Sequence, residues 1–444
     1  MFMPQEPSLA TSPASDRTVI VTDATCTACG CLCDDLIVKA EGGRIIEAVN
    51  ACELGRRWYF ADHAHDELPT ATVDRQAVEP AVALDRAAEI LSRAQAPIVL
   101  GLTRTTTETV AAALAIADRI GAVIDPDTSD GDRARLFATQ RVGRVSATLG
   151  EVKNRADVVL FWGVDPVVTH PRHWERYSVE PRGRFVPDGR AGRTILVVDS
   201  TRTVTAERAD QFIRVAPEAQ FGTLWTLRAL IQGVPLDPGR VEQATGLDLQ
   251  TLKNLVDSLK AAKYGAWFSD SRLGSGPGGA ARIEAALTLV RDLNRFTRFV
   301  ILGLGAPGNP AGAEAALTWQ TGYPSSVSLS RGSPRTMPGV TSAEALLAGG
   351  RADAALIVGD GELPGLSDAA HAHLERIPRI VVGPKATAPG STATVAFDAA
   401  TPGIDAGGTV MRSDGVVLPL RPPLHPSTPT DREWLQALET RLPF

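Results

Sequence analysis

After Cys52 this 444-residue chain contains no cysteine at all. That absence excludes thiolate metal ligands, cysteine nucleophiles and disulfide staples from everything beyond a short N-terminal segment. Lysine is scarce beside arginine, and a formal charge of -6 with a pI near 5.7 leaves no basic stripe, so nucleic acid is excluded as a partner. Long hydrophobic runs are missing too. The longest, such as ADVVLFWGV from Ala156 to Val164, are far too short to span a bilayer, and Met1 to Asp16 is polar without an apolar signal core. The reading is a cytoplasmic protein with no membrane partner. No G-x-S-x-G, H-E-x-x-H or P-loop lysine occurs, which removes the common hydrolase, metalloprotease and nucleotide-triphosphatase signatures.

The few thiols present are crowded. Four of the five cysteines lie in CTACGCLCDD and the fifth in NACELG. Cys26, Cys29, Cys33 and Cys52 have the spacing C-x2-C-x3-C-x18-C, three ligands from one tight loop and a fourth from a later turn. Both iron–sulfur cubanes and structural zinc sites are built this way. Cys31 is left as a spare. The competing reading is a set of buried free cysteines, which such crowding in a cysteine-poor chain disfavours.

A chain of this length exceeds one hydrophobic core and implies several domains. Residues 1–17, rich in Pro, Ser and Ala, read as a disordered tail. Residues 18–62 read as a small β unit: TVIVTD, the cysteine loop, and LIVKAEGGRIIEAV, in which Gly42-Gly43 joins two apolar stretches as a hairpin. From about Leu84, helical and apolar strand patterns alternate, the signature of βαβ units around parallel sheets. They divide into a first α/β region, residues 63–265, and a second, residues 266–400, with boundaries that are approximate because the halves can interleave. Residues 401–444 read as a β segment followed by an amphipathic helix.

In open α/β sheets ligands sit beyond the carboxyl ends of strands. Two such loops carry candidate chemistry: FWGVDPVVTHPRHWER, with Gly163, Asp165, Pro166, His170 and Arg172, and VVDSTRTVTAERAD, with Asp199, Arg202 and Thr203. A strand-end acid can accept from a purine, and Arg and Thr can hold phosphate oxygens. Each also has a plain structural reading as a helix cap or ion pair. His170 and His173 lack a nearby third zinc ligand, and GLGAPGNPAG, Gly303 to Gly312, reads as a flexible turn.

Taken in order, CTACGCLCDD, NACELG, TLGEVKNRADVVLFWGVDPVVTHPRH, VVDSTRTVTAERAD, LTWQTGYP with SRGSPR, and GIDAGGTVMRSDGVVLPL resemble the B subunit of formylmethanofuran dehydrogenase. The resemblance runs from Cys26 to Leu420. It implies a multi-domain α/β fold of the molybdopterin-oxidoreductase type, like formate dehydrogenase, with a small N-terminal β-rich cysteine domain. It also implies a 4Fe-4S cluster on Cys26, Cys29, Cys33 and Cys52. The loops at Gly163 to Arg172 and Asp199 to Thr203 would face a molybdenum or tungsten bis-pterin guanine dinucleotide.

The chain departs from that pattern where the family places a Cys or selenocysteine metal ligand followed by a catalytic His. AVIDPDTSDGDRARLF offers Gly131 and Asp132 there. Glycine cannot hold a soft metal, and Asp for His changes proton handling. Asp130 or Asp132 could offer oxygen instead. A second departure is APEAQ, Ala216 to Gln220, where the superfamily places a guanine-contacting acid. The expectation is therefore that no residue of this chain is catalytic and that the pterin cofactor is lost. The chain resembles most the B subunit of the bacterial formyltransferase/hydrolase complex, which handles formyl groups on methanofuran-like and tetrahydromethanopterin carriers. Its expected partners are the other subunits of that complex. The alternatives are a catalytic tungsten or molybdenum subunit of formylmethanofuran dehydrogenase and a zinc-stabilised nucleotide-binding protein.

Overall fold

Three sheets and a hairpin organise the chain in the computed structural model, which describes residues 18–443 apart from Asp66, residues 127–129 and Pro338. The expected disordered tail lies outside the described residues. The small N-terminal sheet is antiparallel: Val19–Ala24 pairs with Leu36–Glu41, which pairs with Arg44–Val49 across the Gly42-Gly43 turn. Both glycines have positive φ, 56° and 75°, as a two-residue hairpin turn requires. Alternate residues of LIVKAE are buried, as expected of a strand with one wet face.

The strands Val158–Trp162, Thr194–Asp199, Gln211–Arg214, Tyr264–Ser269 and Arg298–Gly303 form a wholly parallel sheet. Numbered along the chain, their spatial order is 3-2-1-4-5. VVLFW is buried at every position because helices cover both faces. The chain reverses direction across the sheet between Val158–Trp162 and Tyr264–Ser269. That leaves a crevice beyond their carboxyl ends.

A nine-stranded mixed sheet has Pro97–Gly101 and Ala354–Val358 side by side at its centre. It draws on both halves of the sequence, from Ala71–Val73 to Val395–Asp398. The expected boundary between residues 265 and 266 falls inside the strand Tyr264–Ser269, whose parallel pairing with Val158–Trp162 binds it to the earlier segment. The physical reason is that βαβ crossovers add strands wherever an edge is open, not in order of sequence. The C-terminal segment is likewise not separate. Hairpin Gly408–Met411/Val417–Leu420 packs on Leu32 of the cysteine loop, and Asp431–Glu439 seals the nine-stranded sheet with Trp434, Leu435 and Leu438.

Candidate cysteine centre and the crevice beside it

The cysteine loop closes on itself through the Cys26 N–H, which donates to the Cys33 carbonyl at 2.9 Å. Leu32 turns the chain with φ 40° and plugs the hairpin core. Helix Glu53–Tyr59 starts at Cys52 and brings the fourth thiol back to the loop. Cys26, Cys29, Cys33 and Cys52 line one recess, together with Leu36, Ala51 and Arg172. Cys31 does not line it. All five cysteines are free thiols, and only Cys52 is partly exposed. Among the described residues, no group of three or more His, Cys, Asp or Glu converges closely enough to hold a single metal ion.

The thiols are electrostatically unequal. Burial pushes Cys26 up. A hydrogen bond from Cys31 holds Cys29 down, and the same thiol, helped by Arg172 and Arg176, brings Cys33 to about 7. Cys31, pushed well up by sitting between the two, stays the protonated donor. A ligand set with thiolate character already favoured at two members suits a cationic metal centre.

The candidate residues of the strand-end loops turn largely inward. Arg172 makes a two-pronged pair with Asp35, at 2.5 and 2.7 Å, and Arg176 reaches Asp34 at 2.6 Å. Burial raises the Asp35 carboxyl, but the two guanidiniums win and hold it below its usual range. His170 meets the Gly305 carbonyl at 2.9 Å and is kept neutral by burial. Asp165 accepts from the Thr205 hydroxyl at 2.5 Å and from its N–H at 3.0 Å, tying the two loops together. Pro166 opens the short turn that presents His170. Gly163, at φ 65°, donates to Val198 at 2.8 Å and lets the chain leave the strand sharply. Thr203 caps the turn Val204–Glu207, and Arg202 lies exposed over the Phe212 ring. Asp199 accepts from the Thr201 N–H and faces the crevice with Asp270 and Arg272, which pair with each other.

The segment read as a flexible turn, Gly303 to Gly312, is instead a hub. Gly30 of the cysteine loop packs so tightly on Gly305 that a methyl group at position 30 would overlap the Gly305 backbone. Gly308 donates to Thr27 at 2.9 Å, and the buried Asn309 side chain binds Thr105 and the Met411 N–H. Glycines read as slack in the sequence permit close docking here. Asp34 and Asp35, directly after Cys33, were also missed, although their acidic pair opposite the arginines of PRHWER was a readable signal.

Gly131 and Asp132 lie in the first turn of helix Asp130–Val142. A methyl group at Gly131 would overlap the Ser271 carbonyl oxygen. Asp132 stands 3.8 Å from Arg135, which also pairs with Glu314 at 2.7 Å. The side chain of Asp130 lies outside the described residues. Gln220 begins helix Gln220–Ile231 and is half-buried.

No family model matches the chain. Over 427 residues it is 34% identical to the B subunit of the tungsten-containing formylmethanofuran dehydrogenase 2 of Methanocaldococcus jannaschii, covering 94% of this chain and 98% of that protein. The chain belongs to the family of formylmethanofuran dehydrogenase B subunits. Within that family it is also 28% identical, over 84% of its length and 96% of the other's, to the B subunit of the formyltransferase/hydrolase complex of Methylorubrum extorquens. The crystal structure of that complex with methylofuran superposes with a TM-score of 0.70 at 26% identity, covering 84% of this chain and 98% of its counterpart. Acetylene hydratase from Pelobacter acetylenicus shares the fold, with a TM-score of 0.67 at 13% identity over 95% of this chain and 69% of that one.

Proposed function

We propose that this chain is the B subunit of a formyltransferase/hydrolase complex in one-carbon metabolism, a redox-inactive scaffold derived from a formylmethanofuran dehydrogenase. The observation that carries the reading is Gly131. Its backbone is closed against Ser271, and no thiol exists after Cys52 to replace the missing metal ligand.

This reading holds that the metal-bearing pterin dinucleotide is lost, and the ion pairing of most crevice arginines supports it. Of the arginines that could meet a diphosphate, Arg172 and Arg176 pair with Asp35 and Asp34 and Arg272 with Asp270, which leaves the exposed Arg202 as the candidate cation of the second loop. At the corresponding crevice of the nine-stranded sheet, Arg104 stands between Asp360 and Glu362, 3.7 and 3.9 Å away. Asp165 is spent on Thr205. In this reading the molybdopterin-oxidoreductase type of fold reflects ancestry and shape rather than a bound cofactor.

The cysteines do fit a metal centre. A single zinc draws its four sulfurs to about 2.3 Å from one point. Four thiols lining one recess, in a family whose B subunits the sequence resembles, support a 4Fe-4S cluster. Cys26, Cys29, Cys33 and Cys52 would hold it. With no second redox centre to serve, its role is to cross-link the loop to helix Glu53–Tyr59.

The higher identity to tungsten-containing subunits favours the alternative, a catalytic tungsten subunit. Elemental mass spectrometry of the protein purified with its native partners separates the two. The scaffold reading expects iron without tungsten or molybdenum; either metal near one per chain sinks it.

A further inference from the structure

Next to the C-terminal end of helix Glu53–Tyr59, a cleft of about 1280 Å³ is lined by His63, His65, Asp405, His425 and the Gly42-Gly43 turn. Two of these side chains, His65 and Asp405, are only 5% and 4% exposed yet reach its wall. The His65 Nδ1 lies 2.6 Å from Oδ2 of Asp398, which ends strand Val395–Asp398. A carboxylate only accepts, so Nδ1 carries the proton and Nε2 is turned away from Asp398. That Nε2 is buried and has no hydrogen-bond partner. Its nearest charged neighbour is Oδ2 of Asp405, 3.6 Å away.

The neighbouring carboxylate and ammonium groups have partners. Asp398 Oδ1 accepts from the Lys385 N–H at 2.7 Å, and Asp405 Oδ1 accepts from the Thr401 N–H at 2.5 Å. The Lys385 ammonium is occupied by Asp62, and His63 Nε2 by the Trp58 carbonyl, each at 2.7 Å. The buried imidazole Nε2 is thus left without a hydrogen bond, facing Asp405 Oδ2 at 3.6 Å. A buried group left this way is costly unless something bridges it.

We propose that His65 Nε2 and Asp405 Oδ2 bind a divalent transition-metal ion of the zinc type. Asp398 is the positioning residue that orients the imidazole, and water from the cleft completes the coordination shell. Two donors about 2.1 Å from a tetrahedral ion stand about 3.4 Å apart, close to the observed gap. The Asp398–His65 hydrogen bond is the outer-shell contact that metal-binding histidines use. Because the protein supplies two ligands, the ion keeps open positions toward the cleft, where a partner or substrate donor can reach it. The signal in the sequence was His63-Ala64-His65, paired with a distant Asp-Ala-Gly-Gly at Asp405. It is independent of the cysteine centre.

The test is a Co2+ titration of the full chain with its cysteine centre filled. The expected result is one further Co2+ per chain, showing weak nitrogen/oxygen-type visible bands and no thiolate charge-transfer band. His65→Gln and Asp405→Asn should each lose that equivalent, and Asp398→Asn should keep it with affinity lowered about 10–100-fold. Should the variants fail to fold, the 15N resonances of His65 in the wild-type protein decide, because Zn2+ must shift Nε2. The proposal is overturned if the extra equivalent never appears, if folded His65→Gln and Asp405→Asn retain it, or if His65 keeps protons on both nitrogens at saturating Zn2+. In those cases His65 is an imidazolium bridging two aspartates.

Discussion

At Gly131 the missing Cβ lets the backbone close on Ser271. Because the Ser271 carbonyl occupies the space a Cβ would take, Gly131→Cys should not reinstate a metal ligand but force helix Asp130–Val142 away from residues 271–274. The expected cost is about 1–3 kcal/mol, as for overpacking elsewhere, read as a lower denaturation midpoint with no gain in tungsten uptake. An unchanged midpoint would mean the backbone gives way easily and the closure argument fails. His173 illustrates a different residue-scale effect. It is buried edge-on to Phe268, with ring centroids 4.5 Å apart, and burial brings it down to about 3. An unfolded histidine takes up its proton near 6.5, so the unfolded chain binds more protons between about 6.5 and 3. Stability must therefore fall as pH is lowered through that window. Asp125, raised to about 6 by burial, acts in the opposite sense below pH 6. Replacing His173 by Phe removes only the first effect. The variant's melting temperature relative to wild type should rise steadily as the pH drops from 7 to 4; parallel curves would assign the acid sensitivity elsewhere.

Elements meet here through paired glycines and paired charges. The cysteine loop docks on the parallel-sheet region by the Gly30–Gly305 contact and by Arg172 and Arg176 on Asp35 and Asp34. Arg172→Lys keeps the charge but loses the fork, and the pair is partly buried, so a loss of about 1–3 kcal/mol is expected. Gly30→Ala should do more damage, since the clash is with backbone. Limited proteolysis should cut the loop faster in both variants while the parallel sheet stays resistant; equal cutting rates would show that docking does not depend on these contacts. Most strands and helices could be read from the sequence because their apolar patterns are long and regular. VVLFW, AALIV and the Gly42-Gly43 hairpin all stand where periodicity placed them. AVID could be read less well, since only Val123–Ile124 pairs as strand. The 303–312 segment was unreadable because a glycine that permits close packing and one that permits flexibility look the same until the neighbour is known.

For the molecule as a whole, the N-terminal unit is a satellite with its own small core of Cys, Leu, Val and Tyr side chains around Ala24, Leu36, Val38 and Tyr59. Small cores of this kind lean on a metal for stability. Stripping the centre, or replacing Cys26 or Cys52 by Ser, should raise amide exchange across the strands at 19–49 and leave Val158–Trp162 and Ala354–Val358 protected. Uniform exchange before and after would argue against any structural metal. No helix among the described residues is long and apolar enough to cross a membrane.

By itself the sequence determined which segments would be strands and helices, that all thiols sit at one end, and which family the order of motifs resembles. Those are properties of local pattern, carried by side-chain periodicity and spacing along the chain. Only the tertiary structure decided that the two sheets interleave, that Arg172 and His170 face protein partners, that Gly131 is sealed, and that His65 meets Asp398 and Asp405. Each of these depends on groups more than a hundred residues apart in sequence, whose meeting no local pattern of residues can fix.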